Sequence, residues 1–224
     1  MKLYRFMKTE HALSSIEQQR LKVSNFNNLN DPFELQAAGS SEKKVRRELR
    51  KYAKDLASEI RLICCSKSWM SPVLWGHYGD SHRGVALVLE VEKSIAFDVI
   101  YQLDRKMLLE SDVIQMKSEF TPYMSHATEM LISKSDQWSY EDEARILITK
   151  NSESLEVSSE MEFFKCGAAI KIVGLILGPL NGSGNEEITE VCPPGQRLSV
   201  TKARLAFKSY NVIADERRNN IIVE

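Results

Sequence analysis

The apolar positions of this 224-residue chain change period several times, and the changes mark its elements. Residues 3–6, Leu-Tyr-Arg-Phe, read as a short opening strand. Residues 10–19 fit a helix with Leu13 and Ile16 on one face and Thr9 as its cap, and residues 21–24 return as a strand. A turn-rich stretch follows, in which Asp31 before Pro32 excludes a continuing helix. From residue 41 to 60, Val45, Leu49, Tyr52, Leu56 and Ile60 lay one apolar stripe along a helix. Residues 62–66 read as a buried strand, and residues 85–91, apolar on both faces apart from Glu90, as a central one. Residues 96–101, 146–149 and 169–177 read as further strands, and residues 200–214 as one or two. Thr121 before Pro122 predicts a helix start. Residues 178–184 read as an ordinary loop, without a phosphate-cradle glycine pattern.

These elements interleave without repeats or a long linker. The expectation is therefore an α+β fold in one domain over residues 1–224, with mixed or antiparallel sheets, flanking helices and a helical insertion at about 41–60. The length and the 43% hydrophobic content support a sizeable core. A formal net charge of −1 supplies no global attraction to nucleic acid or anionic lipid, so contact with either needs a local patch. The basic positions of residues 43–54 are such a patch, a contact surface for nucleic acid or a protein partner or a plainly solvated face. No segment reaches the roughly 20 apolar residues that cross a bilayer, and the first residues lack an apolar signal core; a cytoplasmic protein with no membrane contact is expected. Cys64, Cys65, Cys166 and Cys192 have neither zinc-ribbon spacing nor disulfide density and read as reduced thiols.

Charge collects at the lip of one strand, in the run from Gln137 to Ile148, QWSYEDEARILI. If the chain enters the strand extended, Glu141, Glu143, Arg145 and Leu147 share a face. Two crowded carboxylates beside a guanidinium have opposed pKa perturbations, a pattern common where protons or a developing cation are handled, although a surface ion pair has the same composition. Trp138 and Tyr140 offer stacking surface for a planar ligand or packing for the core. The second constellation, residues 75–84, WGHYGDSHRG, places Trp75, His77, Tyr78, Asp80 and His82 at a pocket rim among glycines. No third ligand at a defined spacing supports a resident metal, and none is expected. The missing G-x-S-x-G elbow leaves a serine hydrolase without support.

NDPFE at 30–34, W-x-H-Y-x-D-x-H-x-G at 75–84 and W-S-Y-E-x-E-x-R at 138–145 together resemble a widespread bacterial family of uncharacterised domains, found partly among abortive-infection and phage-defence genes. The resemblance runs from Leu3 to about Tyr210. The family pattern has Cys-Phe-Ser where this chain has Cys64-Cys65-Ser66, and an aromatic where it has Ala144. More distantly, the opening LYRF, helix and short strand resemble ADP-ribosyltransferase-like folds, whose middle motif is not identifiable here. That resemblance implies NAD as a substrate, Glu143 as the central carboxylate and Glu141 as its upstream partner. Tyr4 and Arg5 then lie at the amino-terminal NAD contact, with His77, Tyr78, Trp138, Tyr140 and Arg145 as further binding residues. Asn30, Asp31, Trp75, Asp80 and His82 would line the pocket. The acceptor would be a nucleic acid or a protein, and the role that of a toxin or phage-defence effector.

Two other readings compete. In a metal-dependent hydrolase or nuclease, His77, Asp80, His82 and one glutamate would act together. In a non-catalytic module that binds nucleic acid or protein, the carboxylates pair structurally with Arg145 and Arg83.

Overall fold

The computed structural model describes residues 1–118, 125–218 and 221–223. Its first part runs β1 (Lys2–Met7), α1 (Thr9–Glu17), β2 (Arg20–Lys22), β3 (Ala38–Gly39), α2 (Lys43–Glu59), β4 (Ile60–Ser66), α3 (Pro72–His77) and β5 (Val85–Val91). Next come β6 (Ala96–Asp98), β7 (Ile100–Gln102), β8 (Lys106–Met107), α4 (Glu110–Ser118), α5 (Ser125–Ile132), β9 (Ser133–Ser135) and β10 (Glu143–Thr149). The last part is β11 (Leu155–Ser158), β12 (Met161–Lys165), β13 (Ile170–Leu177), α6 (Asn185–Val191), β14 (Leu198–Leu205), β15 (Val212–Ala214) and β16 (Ile221–Val223). The fold is α+β.

The apolar runs become the strands of one large sheet, in the order β15-β14-β13-β5-β1-β4-β10-β6, with β16 also paired to β14. Its pairs are antiparallel except β13 with β14. Strand alternation divides the apolar side chains between two faces. Leu3, Ile63, Cys65, Leu87, Leu89, Ala144 and Ile146 pack on one, under α1 and α6. The other carries two separate clusters: Leu62, Leu147 and the α2 stripe at the β4–β10 end, and Trp75, Ala86, Val88 and Phe6 at the β1–β5 end. Of the five predicted stripe residues, Val45, Leu49, Tyr52 and Leu56 are buried along α2, and Ile60, expected to continue the helix, is buried as the first residue of β4.

Several local expectations are corrected. Residues 75–77, expected in a loop, belong to α3, where Pro72 opens the helix and the Ser71 hydroxyl accepts a hydrogen bond from the Leu74 amide. Lys8, not Thr9, holds the capping position of α1 and makes no side-chain cap; the Thr9 hydroxyl accepts instead from Asn181 Nδ2 at 2.9 Å. Residues 96–101 split into β6 and the start of β7, and residues 200–214 into β14 and β15. The helix start at Thr121 and Pro122 lies outside the described residues.

β1 and β4 meet in one register pair, Tyr4 with Ser66. A regular antiparallel ladder would next pair Phe6 with Cys64, but four residues along β4 from Ser66, Leu62 exchanges both backbone hydrogen bonds with Ser24 instead. The edge of β4 thus changes partner, and the sheet opens between β1 and β4 at Cys64. The opening lies between the two clusters of the second face.

Candidate functional site

The opening is a cleft of about 210 Å³. β1 contributes Tyr4, Arg5 and Phe6, and β4 contributes Cys64, Cys65 and Ser66. Asn30 and Glu34 enter from the turn-rich segment, Tyr78 from the end of α3, Lys134 from β9, and Glu141 and Glu143 from either side of the β10 start. Residues from both ends of the expected constellation therefore line one hollow.

The carboxylates arrive by a different route from the one expected. Residues 136–141 form a short 3-10 helix, and Asp142 takes a left-handed conformation at φ 43° before β10 begins at Glu143. Glu141 is not a strand residue, because this reversal breaks the alternation. Both side chains nevertheless converge on Lys134, whose Nζ donates to Glu141 Oε2 and, at 3.3 Å, to Glu143 Oε2. Glu141, Glu143 and Lys134 are all buried. Tyr78 donates its hydroxyl hydrogen to Glu141 Oε1 at 2.6 Å and accepts one from Asn30 Nδ2 at 2.8 Å.

Arg145 is fully buried and holds the other side of the cluster. Its guanidinium donates to Glu143 Oε1 at 3.0 Å and Oε2 at 3.3 Å, to Glu34 at 2.8 and 2.6 Å, and to the Leu131 carbonyl at 2.7 Å. Two bidentate pairs on one guanidinium fix all three side chains. The Cys64 thiol bonds to Glu143, and the Glu143 amide donates to the Tyr101 hydroxyl at 2.8 Å.

Electrostatics separates the carboxylates. Burial opposes ionisation of Glu143, yet Arg145 and Lys134 prevail and hold its carboxyl below the ordinary range. For Glu34 burial outweighs the pull of Arg145, and its pKa is raised. Burial works against the Lys134 cation, but Glu143 and Glu141 keep its pKa above the usual value. Burial, reinforced by Glu141, raises the Tyr78 phenol. With all groups ionised, three carboxylates face two cations, Lys134 and Arg145, leaving this wall with one surplus negative charge.

Arg5 stands apart. Alternation puts it on the face of Leu3, opposite Tyr4 and Phe6, and it borders the cleft only because the sheet opens there. Its Nη2 donates to the Lys22 carbonyl at 2.7 Å, while Nη1 is enclosed without a hydrogen-bond partner. Burial lowers its pKa, against the opposing influence of Cys65, Cys64 and Cys166.

The remaining expected residues divide. His77 and Tyr140 sit close by, with His77 Nδ1 3.4 Å from the Tyr140 hydroxyl, and Trp138 packs 6.1 Å from the Tyr140 ring and lies over Lys134 Nζ. None of these three lines the cleft itself. Trp75 is wholly inside the core, edge-on to Phe6 at 4.9 Å, with its indole N–H bonded to the Trp69 carbonyl. Asp31 closes an Asx turn, accepting from the Phe33 amide at 2.9 Å. Asp80 and His82 occupy left-handed positions in the turn after α3, away from the cleft. Among the described residues no three His, Cys, Asp or Glu side chains gather where a metal ion could be held. Arg83 is exposed and outside the carboxylate cluster.

Glu34 and Lys134 were not anticipated. Glu34 ends the NDPFE motif, where a lone acid just after a turn was the available signal; Lys134, a single cation following the apolar Leu131-Ile132, gave a weaker one.

Residues 74–146 match a family model described as a protein of unknown function, DUF2971. The matched stretch holds Tyr78, Lys134, Glu141, Glu143 and Arg145, and it contains the second and third of the three motifs. Arg5, Asn30 and Glu34 lie before it. No curated protein and no solved structure matches the chain. No helix among the described residues is long and apolar enough to cross a membrane.

Proposed function

We propose that the cleft cleaves the nicotinamide–ribose bond of NAD and transfers the ADP-ribosyl group to an acceptor. The observation that carries this reading is that Arg5 and Glu143 border one hollow in the opened sheet. Breaking the C1′–N bond sends its electron pair to nicotinamide and leaves an oxocarbenium-like ribosyl cation. The Glu143 carboxylate, held ionised and in place by Arg145 and Lys134, is electrostatically complementary to that cation. The acceptor then bonds to C1′ and gives up its proton, a role assigned to Glu141, which lines the same cleft. Arg5, which borders the cleft, supplies the positive charge for the diphosphate. The interrupted ladder at Cys64 offers a backbone donor and acceptor to a planar carboxamide such as that of nicotinamide.

Glu143 takes only part of the load alone, because both its oxygens already accept bonds from Arg145. That feature also favours a second reading, in which the cluster is a structural ion-pair network inside a non-catalytic binding module in defence against phage. The two separate on binding. In titration calorimetry NAD should bind the native protein and bind Arg5→Gln at least about ten-fold more weakly, the cost of one lost charge-assisted contact. Equal heats for both proteins, or no heat for either, would leave only the non-catalytic module.

A further inference from the structure

Two more hollows continue from the cleft across one surface. The first, of about 560 Å³, shares Lys134 with the cleft and is lined by Phe33, Gln36, Leu103, Arg105 and Met107 among others. The second, of about 180 Å³, shares Arg105 with the first and adds Arg46 and Arg50 from α2. Phe33, at 56% exposure, is an aromatic ring left half outside the fold beside a cavity.

Arg46, Arg50 and Arg105 make no ion pair among the described residues, unlike several neighbouring cations. Lys44 is tied to Glu110, Arg47 to Glu48, Lys106 to Glu129 and Lys150 to Glu59. Among the described residues, Arg46, Arg50 and Arg105 bond to backbone carbonyls alone: Arg46 to Ser40 and Ser41, Arg50 to Arg46, Arg105 to Gln36 and Ala38. Among the described residues no carboxylate lines the hollow they share, and Asp104 is the carboxylate lining the adjoining one. Backbone bonds hold the Arg46 and Arg105 side chains in place without neutralising them, so an anion meets three positive charges at small reorganisation cost.

We propose that single-stranded nucleic acid lies along this track, with phosphates on Arg46, Arg50 and Arg105 and a base against Phe33. The chemistry is that of a strand-binding groove, guanidinium groups following the backbone and an aromatic face receiving a base. A duplex keeps its base faces stacked and inaccessible to Phe33. The track ends at Lys134, on the border of the cleft, so a nucleic acid bound there presents itself as the acceptor; that last step rests on the transferase reading, whereas binding does not.

The test measures fluorescence anisotropy of a labelled single strand of about 12 nucleotides, within the span such a groove covers, with no NAD present. The native protein should bind, and Arg50→Glu, exposed and bonded only within its own helix, should bind roughly ten-fold more weakly with a salt slope shallower by about 0.7 or more. Phe33→Ala should weaken binding about five-fold or more through lost stacking. Thermal unfolding of each variant confirms the fold, and the two substitutions sit on different segments. Unchanged binding in both variants overturns the proposal, as does no binding by the native protein. Competition by free phosphate or mononucleotide as strong as by the oligomer, or preference for anionic vesicles over the strand, overturns it as well. Without NAD in the assay, failure of NAD cleavage leaves this result standing, and failure here leaves NAD cleavage in water to be judged separately.

Discussion

Replacing Arg145 by Met tests how much the buried cluster stabilises the protein. The side chain is fully buried and donates five hydrogen bonds, two to each of Glu34 and Glu143 and one to the Leu131 carbonyl. Its removal leaves Glu34 without its ion-pair partner, Glu143 with Lys134 as its remaining cation and the Leu131 carbonyl unpaired, for which about 3–5 kcal/mol of lost stability is expected. Urea unfolding at neutral pH, followed by far-ultraviolet circular dichroism, measures the loss, with an unchanged m-value as the check on two-state behaviour. The triple variant Glu34→Gln, Glu143→Gln, Arg145→Met removes the stranded charges and should regain much of the stability. Activity should not return with it, because the anionic wall is gone. A loss below about 1 kcal/mol in the single variant would place these groups in an environment as forgiving as an exposed ion pair and refute the reasoning.

Tyr78→Phe removes the hydroxyl between Asn30 and Glu141 and should cost about 1–3 kcal/mol in the same unfolding assay, since the buried Glu141 carboxylate loses a partner while the exposed Asn30 amide can turn to water. Acid titration should tell Glu143 from its amide. The folded pKa of Glu143 is depressed, so its contribution to stability is fully present above the unfolded value of about 4.3 and is lost as pH falls through the lower folded value. The stability gap between the native protein and Glu143→Gln should therefore narrow below that pH, and a constant gap would show that Glu143 is not held ionised. Burial raises the Cys65 and Cys166 thiols to about 12, so at mildly alkaline pH a thiol reagent should label both far more slowly in the folded protein than in urea.

The sequence made the strands and α2 legible because their apolar periods are long and regular: the α2 stripe and the run Val85 to Val91, broken only at Glu90, each fill several turns or alternations. It was less informative where a single residue decides the backbone. The left-handed Asp142 turns Glu141 off the strand without any glycine to announce it, and the Ser71-Pro72 start of α3 was hidden in a segment read for its glycines and histidines. Tertiary contacts were out of reach altogether. Nothing local to Glu34 or Lys134 indicates that one shares a guanidinium with Glu143 and the other bridges two carboxylates more than five residues away. The change of partner along β4, which makes the cleft, is a property of sheet topology and has no sequence signal of its own.

Nicotinamide release from NAD, followed by chromatography over time, tests the central claim most directly. The account predicts release by the native protein and at least about 100-fold slower release by Glu143→Gln, the order expected when one preorganised charge facing a developing cation is removed. Intact NAD in the presence of the native, folded protein, or equal release by the two proteins, would contradict it.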